Sequence, residues 1–369
     1  MKIKHIGLIF LMSLFCAVLY AQQDKSASNN EPLRLGIVGL SHAHLWEVIS
    51  RLDRGDFEVV GIAEKNTALW NNKALKEKVA SDLFFEDLDE MLAKTKPQAV
   101  IVYESIYDHL RVVEACAKYG VHVMVEKPLS TNVKDAKRML DLAKENNIFL
   151  LTNYETTWYP TIHKAYDMIQ DGFVGNLSRI NIYDGHGGPI EIGCGPEFTD
   201  WLTDPVLNGG GAVIDFGCYG ANISTWIMKG QKPLSVYAVL KQQKPAIYPK
   251  VDDDATIVIE YPKVTVIAMA SWNWPISRKD MHIYGDKNYI YQDDKTSMRI
   301  HRDDKETRLE VPEMAAPYND TFLYLKAVVN GDISVKPDDL SSPENNLTVV
   351  EILEAAIESS KTGKIVKLQ

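Results

Sequence analysis

The first part of the chain alternates short, almost continuously apolar runs with stretches of helical spacing. Residues 33–39, LRLGIVG, form an apolar strand ending on glycine. HAHLWEVISRLDR then carries Leu45, Val48, Ile49 and Leu52 three or four apart, as on one helix face. The same alternation continues through FEVVGIAEKN (strand), ALWNNKALKEKVA (helix) and FFEDLDEML (short strand or turn, then helix). PQAVIVYES, YDHLRVVEACAKYG, VHVMVEKP, NVKDAKRMLDLAKENN and IFLLTNYE complete it. Apolar strands alternating with helices predict a parallel sheet covered on both faces, a doubly wound Rossmann-type α/β domain over residues 33–155.

Beyond the helix WYPTIHKAYDMIQDGFVG the period changes. SRINIYDG, PLSVYAVLKQQ, DDATIVIEYP, VTVIAMASWNW, DMHIYGDKNYIYQDD and SMRIHRDD read as strands joined by turns. They predict an α+β second domain over 156–369 with a largely antiparallel open sheet, closed by the helices NDTFLYLKAVVNG and PENNLTVVEILEAAIESSKTG. Its role is substrate binding, and its sheet is the expected surface for a homo-oligomer.

At 369 residues the chain exceeds the usual single core. A net charge of −10 with no basic run excludes nucleic acid as a partner. The N-terminus, MKIKHIGLIFLMSLFCAVLYAQQ, has a basic start, an apolar stretch and small Ala21, and reads as a signal peptide over residues 1–21. Residues 22–32 read as a polar tether. Bulky Phe15 before Cys16 argues against a lipoprotein, and no later run is apolar enough to span a bilayer. The protein is therefore expected to be exported, periplasmic or secreted. Cys116, Cys194 and Cys218 remain, an odd set expected to stay reduced.

Three segments carry candidate chemistry. GIVGLSHAH, residues 36–44, stands where a dinucleotide turn belongs. One glycine makes such a turn, a second lets backbone approach the pyrophosphate, and a third lets helix and strand pack closely. Gly39 makes the turn, while Ser41 and His44 stand at the other two places. Gly39, Leu40, Ser41 and His42 are the expected phosphate-side contacts. Glu64 closes the second strand, where a carboxylate can accept both adenosine-ribose hydroxyls. Lys65 beside it suits a 2′-phosphate, so NAD is favoured and NADP is possible. On a helix, His42 and His44 would point to different faces, so no metal is expected.

VEKPLS puts Lys127 at the carboxyl end of a parallel strand, where open α/β sheets bind ligands. A surface Glu-Lys pair before a turn is the plainer alternative. NGGGAVIDFGCYGAN offers glycines for a close backbone approach and places Asp215 and Tyr219 four apart, on one helix face. Trp272 and Trp274 of SWNW are read as sheet packing or an oligomer face. Tyr154, Trp158 and Tyr159, at the domain junction, are the preferred sugar platform.

Together the loop, the EKP tripeptide and the GGG-x3-D-x-G-x-Y segment resemble the Gfo/Idh/MocA oxidoreductase family, from LRLGIVG to the closing KIVKL. The resemblance implies that Lys127 is the catalytic lysine, that Glu126 lies near the nicotinamide end, and that Asp215 is the second active-site residue. Tyr219 stands where many members have histidine, as in the glucose-fructose oxidoreductase and dihydrodiol dehydrogenase branches. Glu104 and His109 bound the stretch ESIYDH, which keeps the histidine of the family's T-P-x-x-x-H but not the proline. An arginine often found before TTWYP is absent, with Glu155, Thr156 and Thr157 in its place.

The implied reaction is hydride transfer between a substrate carbinol carbon and the nicotinamide. Lys127 or Tyr219 takes the hydroxyl proton, and Asp215, Tyr219, Tyr154 and Trp158 contact the substrate. Burial and the nicotinamide charge are expected to lower the Lys127 pKa. Outside the cytoplasm no free NAD pool is at hand, so a tightly held, internally recycled cofactor is expected. That suits sugar–sugar exchange, epimerisation or oxidation-assisted glycoside cleavage; a non-catalytic sugar-binding role is the rival.

Overall fold

The computed structural model describes residues 31–368. The expected signal peptide, and the tether as far as residue 30, lie outside the described residues. The first layer contains β1 (Leu33–Val38), α1 (Leu45–Ile49), β2 (Phe57–Ala63), α2 (Lys73–Lys78), β3 (Phe84–Phe85) and α3 (Leu88–Thr95). It continues with β4 (Ala99–Val102), α4 (His109–Tyr119), β5 (His122–Glu126), α5 (Val133–Glu145) and β6 (Leu150–Asn153). The six strands form one sheet in the order β3-β2-β1-β4-β5-β6, parallel throughout. The crossing from β1 to β4 leaves the carboxyl ends of β1, β4 and β5 around one crevice, where such sheets bind ligands.

The chain then enters α6 (Pro160–Gln170), β7 (Leu177–Gly185), α7 (Pro196–Leu202), α8 (Ala212–Asp215) and α9 (Gly217–Ile227). The strands β8 (Ser235–Lys241), β9 (Asp254–Glu260), β10 (Thr265–Ser271), β11 (Arg278–Gly285), β12 (Tyr289–Gln292), β13 (Ser297–Arg302) and β14 (Lys305–Glu310) follow. The chain closes with α10 (Thr321–Val329), α11 (Pro343–Thr362) and β15 (Val366–Lys367). The second sheet has nine strands in the order β14-β13-β12-β11-β7-β10-β9-β8-β15, antiparallel except where β7 meets β10. One face packs on α8, α9 and α11; the alternation of buried and part-buried residues along β9 and β10 leaves the other face uncovered.

Three features depart from the sequence reading. The helix after the opening turn is five residues long, not thirteen, and begins only at Leu45. β14, KETRLE, is an edge strand with almost every side chain exposed, so it carries no hydrophobic alternation to betray it. The Rossmann face that holds Leu35, Ile37 and Val48 is covered by Phe322, Leu325 and Val328 of α10. The first core is thus completed by a helix from the far end of the chain.

Candidate active site

Asp215 and Tyr219 converge on Lys127 as their spacing suggested, although the helix breaks between them at Phe216, dividing α8 from α9. The Lys127 ammonium lies 2.5 Å from Asp215 Oδ1 and 3.0 Å from the Asp215 carbonyl oxygen, to both of which it donates. It also sits 5.4 Å from the centre of the Tyr219 ring. Lys127 and Asp215 are 6% and 5% exposed, so the pair is shielded from water while still at the edge of the crevice. The Lys127–Pro128 peptide is cis.

Burial pulls the Lys127 pKa down, but the charge and hydrogen bond of Asp215, with Cys218 and Glu126, together outweigh it, and the net shift is upward. That corrects the lowering expected from sequence: a buried lysine with a carboxylate in contact stays an ammonium. Burial likewise raises the Asp215 carboxyl, and Lys127, His186 and the Trp272 indole together hold it at about 2. Burial pushes the Tyr219 phenol well above its ordinary range, so it is a neutral donor.

For Trp272 the sequence reading is incomplete. It lies just past β10, fully buried, and its Nε1–H donates to Asp215 Oδ2 at 2.9 Å. Its ring does pack in the second-domain core, 4.7 Å from that of Tyr248, as expected; the bond to Asp215 is what the sequence reading missed. SWNW at the end of an alternating strand was the available signal. The three glycines before α8 also have another purpose than ligand approach. A Cβ on Gly211 would meet the Asp252 carbonyl oxygen at 1.8 Å. Asp252 in turn accepts from the amides of Gly211 (2.9 Å) and Val213 (2.7 Å), fixing the start of the helix that presents Asp215.

On the second-domain side, a cavity of about 630 Å³ is lined by Glu155, Tyr159, His186, Phe216 and Lys279 among others. Lys279 pairs with Glu155 and stands 4.9 Å from the Tyr219 ring centre, so two lysines flank that ring within 5.4 Å. His186 accepts the Gly188 amide at Nδ1 (3.0 Å), which leaves Nε2 as an N–H donor. His186 and Lys279 escaped the sequence reading because only folding brings β7 and β11 beside Tyr219.

At the opposite end, Gly39 has φ +81°, and a Cβ there would meet Glu104 Cγ at 2.2 Å, so the turn requires glycine. Glu64 accepts from the amides of Leu40 (2.8 Å) and Asn66 (2.6 Å), and the amides of Ser41 and His42 both donate to the Tyr103 carbonyl. Ser41, Glu64, Lys65, Glu104 and Trp201 line a groove of about 430 Å³, and the Trp201 indole N–H is buried without a partner among the described residues. Each Glu64 oxygen keeps a second lone pair, so this donor and acceptor set fits the adenosine half of a dinucleotide. Glu104 is paired with Arg111 at 2.5 Å, yet burial carries its pKa to about 7.

Other expected contacts are placed differently. His42 is buried against Phe198 and Trp201 of α7 (ring centres 4.9 and 5.5 Å) and does not face the phosphate side. His109 is also buried; its Nδ1 donates to the Leu129 carbonyl at 3.1 Å, so it holds the EKP loop. Tyr154 lies beneath Tyr219, edge to face at 5.4 Å, and offers no surface to a sugar. Trp158 is turned away: its Nε1–H donates to Asn153 Oδ1 at 3.1 Å and its ring packs on Tyr324. Of that aromatic run, Tyr159 alone lines the catalytic cavity.

The two histidines of the opening turn precede the helix, so the argument from helix faces does not apply to them. Their rings lie 4.6 Å apart, and with Glu126 they form a set whose ligand atoms fall within 4.8 Å of one another. Each of the three already has a hydrogen-bond partner. His42 Nδ1 accepts the His44 amide (3.0 Å), His44 Nδ1 contacts Glu126 Oε2 (3.0 Å), and Asn153 donates to Glu126 Oε1 (2.8 Å). Burial opposes the Glu126 charge, but the His44 charge and hydrogen bond, with His42 and the Asn153 hydrogen bond, together outweigh it and leave the carboxyl at about 2. The set is thus an ion pair with its own hydrogen bonds, beside a lysine that repels cations.

The pattern of the oxidoreductase family with an NAD-binding Rossmann fold, GFO_IDH_MocA, matches residues 33–154, and that of the GFO/IDH/MocA C-terminal domain matches residues 162–291. Together they span well over half of the chain. The chain belongs to the Gfo/Idh/MocA oxidoreductases. Among curated members it is 24% identical to the D-xylose 1-dehydrogenase [NADP(+)] of Haloarcula marismortui, over 71% of each chain. It is 26% identical to the trans-1,2-dihydrobenzene-1,2-diol dehydrogenase of Xenopus laevis, over 73% of this chain and 78% of that one. The fold matches the aldose-aldose oxidoreductase of Caulobacter crescentus with a TM-score of 0.78 at 19% identity, over 91% of this chain and all of the other. It matches an Azotobacter vinelandii inositol dehydrogenase homologue complexed with NAD+ equally well, at 0.78 and 19%, over 92% and 98%. This Gfo/Idh/MocA member is therefore an NAD(P)-dependent oxidoreductase.

Proposed function

We propose that this oxidoreductase acts on a CH–OH group of a sugar or sugar derivative, with Lys127, Asp215 and Tyr219 as its catalytic residues. The observation that carries the reading is the buried Lys127–Asp215 pair at the carboxyl end of β5, 5.4 Å from the ring of Tyr219, whose other cationic neighbour, Lys279, lines the 630 Å³ cavity. The sugar, inositol and diol chemistry in the names of its relatives supports the substrate class.

A bound nicotinamide would supply hydride transfer at the carbinol carbon. Gly39, Ser41, Glu64 and Trp201 would hold the adenosine and phosphate half, with Glu126 at the other end. Lys127, kept as an ammonium by Asp215, donates a hydrogen bond to the substrate oxygen and stabilises negative charge developing on it. In the oxidative direction Lys127 takes the hydroxyl proton as it passes one of its own to the Asp215 carboxylate; in the reductive direction the same relay runs back. Tyr219 Oη is a second donor, and His186 Nε2–H a third from the cavity side. NAD is favoured, because Glu64 presents a carboxylate where a 2′-phosphate would be repelled.

We further propose that the protein is exported and keeps its cofactor, recycling it within each turnover. Phe198 and Trp201 of α7 pack on His42 of the nucleotide turn, so release would require α7 to lift. Such a cycle suits sugar–sugar exchange, epimerisation or oxidation-assisted glycoside cleavage. The uncovered sheet face is the proposed surface of a homo-oligomer. Denaturing the protein purified from the exported fraction should release stoichiometric NAD(H) or NADP(H), identified by mass. Recovery of a nucleotide-free protein that turns over only with added cofactor would refute recycling.

A further inference from the structure

Trp158, turned away from the catalytic cleft, forms one wall of a separate cavity of about 250 Å³. None of its lining residues belongs to the cavity beside Tyr219 or to the groove at Glu64. Its apolar surface is aromatic: Trp158, Trp226, Tyr166 and Tyr318, with Tyr166 stacked on Trp226 at 4.1 Å and 17°. Its polar surface is rich in acceptors. Asp167, Asp338 and Asp339 face a single Lys336. His163 Nε2 must donate to the Thr157 carbonyl (2.8 Å), so its Nδ1 is left as an acceptor. Thr157 and Ser341, on the same wall, hold buried hydroxyls with no partner among the described residues.

We propose that this cavity is a second binding site, taking a neutral polyol of monosaccharide size. Rings flanking a few convergent polar groups are the composition of small-molecule sites. A wall dominated by acceptors selects a ligand that brings several donors, as a polyhydroxylated ring does. Rotation about χ1 lets the two unpartnered hydroxyls meet such a ligand, and buried hydroxyls without partners are otherwise rare. Lys336 offsets part of the charge of the three aspartates, and a cationic control separates a polyol from an organic cation; the volume suits a monosaccharide and not a nucleotide. The site also touches the chemistry by a short chain of bonds, because Trp158 donates to Asn153, which donates to Glu126.

Equilibrium dialysis of the full protein with radiolabelled D-glucose and myo-inositol tests the site, with tetramethylammonium as the cationic control. The variants are Tyr166→Ala and Asp167→Asn/Asp338→Asn, the second confined to groups at the cavity's outer rim. At saturation the wild type is expected to bind one more equivalent of at least one polyol than either folded variant, whose turnover stays within twofold. Equal stoichiometry in wild type and variants for both polyols overturns the proposal. So does loss, in the variants, of tetramethylammonium binding alone.

Discussion

Trp272 reaches Asp215 from the side opposite Lys127, so each carboxylate oxygen has its own donor. A hydrogen bond to a charged group contributes about 1.5–3 kcal/mol. Trp272→Phe keeps the ring and removes the bond. Its kcat is expected to fall about 10-fold to 100-fold, and the acid limb of the pH–rate profile to move upward as the Asp215 pKa rises from about 2. A profile that falls in height without moving would show that the indole is packing alone. Lys127→Ala removes the only cation paired with Asp215 among the described residues, and the proposed donor to substrate. Turnover should drop on the order of 10³-fold or more, while nucleotide released on denaturation stays stoichiometric. Both residues were visible in the sequence, but only Lys127 could be given a role there. EKP has a fixed place in a βα unit, whereas a tryptophan after a strand declares nothing about what it touches.

At the scale of elements, α7 was absent from the sequence reading, because GPEFTDWL is short and lies among glycines and prolines. The structure sets it over the nucleotide turn. Removing its two rings with Phe198→Ala/Trp201→Ala should quicken cofactor loss at least 10-fold, read as decay of nucleotide content during dilution and gel filtration. An unchanged retention time would mean that α7 does not close the groove. The helix α10 is a different case: its pattern was legible, its destination was not. Asp320 caps it by accepting from Phe322 (2.9 Å) and Leu323 (3.1 Å) amides and pairs with Arg51 of the first layer. Asp320→Ala should cost about 1–2 kcal/mol, seen as a lower denaturant midpoint at unchanged m-value.

Across the whole molecule, buried carboxylates with opposite shifts shape the response to pH. Burial, with the Glu126 charge next, raises the Glu47 pKa from 4.5 to about 7. The folded state therefore binds more protons than the unfolded chain between these values, and stability falls as pH rises from about 4.5 to about 7, then levels. Glu126 and Asp215, held at about 2, act in the other sense: the stability they contribute is present above their unfolded values and lost as pH falls toward 2. Glu104, also raised to about 7, contributes a fall of the same sign, so Glu47→Gln should lessen the fall between pH 4.5 and 7 in thermal melts and leave the acid limb in place. A Gln variant whose melting temperature drops across that interval as steeply as the wild type's would assign the effect to Glu104 and not to Glu47.

Apolar period and motif position by themselves determined the alternating parallel layer, the change to an antiparallel sheet after residue 176, and the positions of Gly39, Glu64 and Lys127. Those follow from local rules: side chains repeat every two or 3.6 residues, and a βα turn or a strand end has a fixed place in its unit. Tertiary structure alone decided that Lys127 remains an ammonium, that His44 serves as the counter-ion of Glu126, and that Trp158 leaves the cleft where Trp272, His186 and Lys279 enter it. A pKa, an ion pair and a shared cavity depend on distances between residues remote in the chain, and burial sets the strength of each. Periodicity carries no information about those distances.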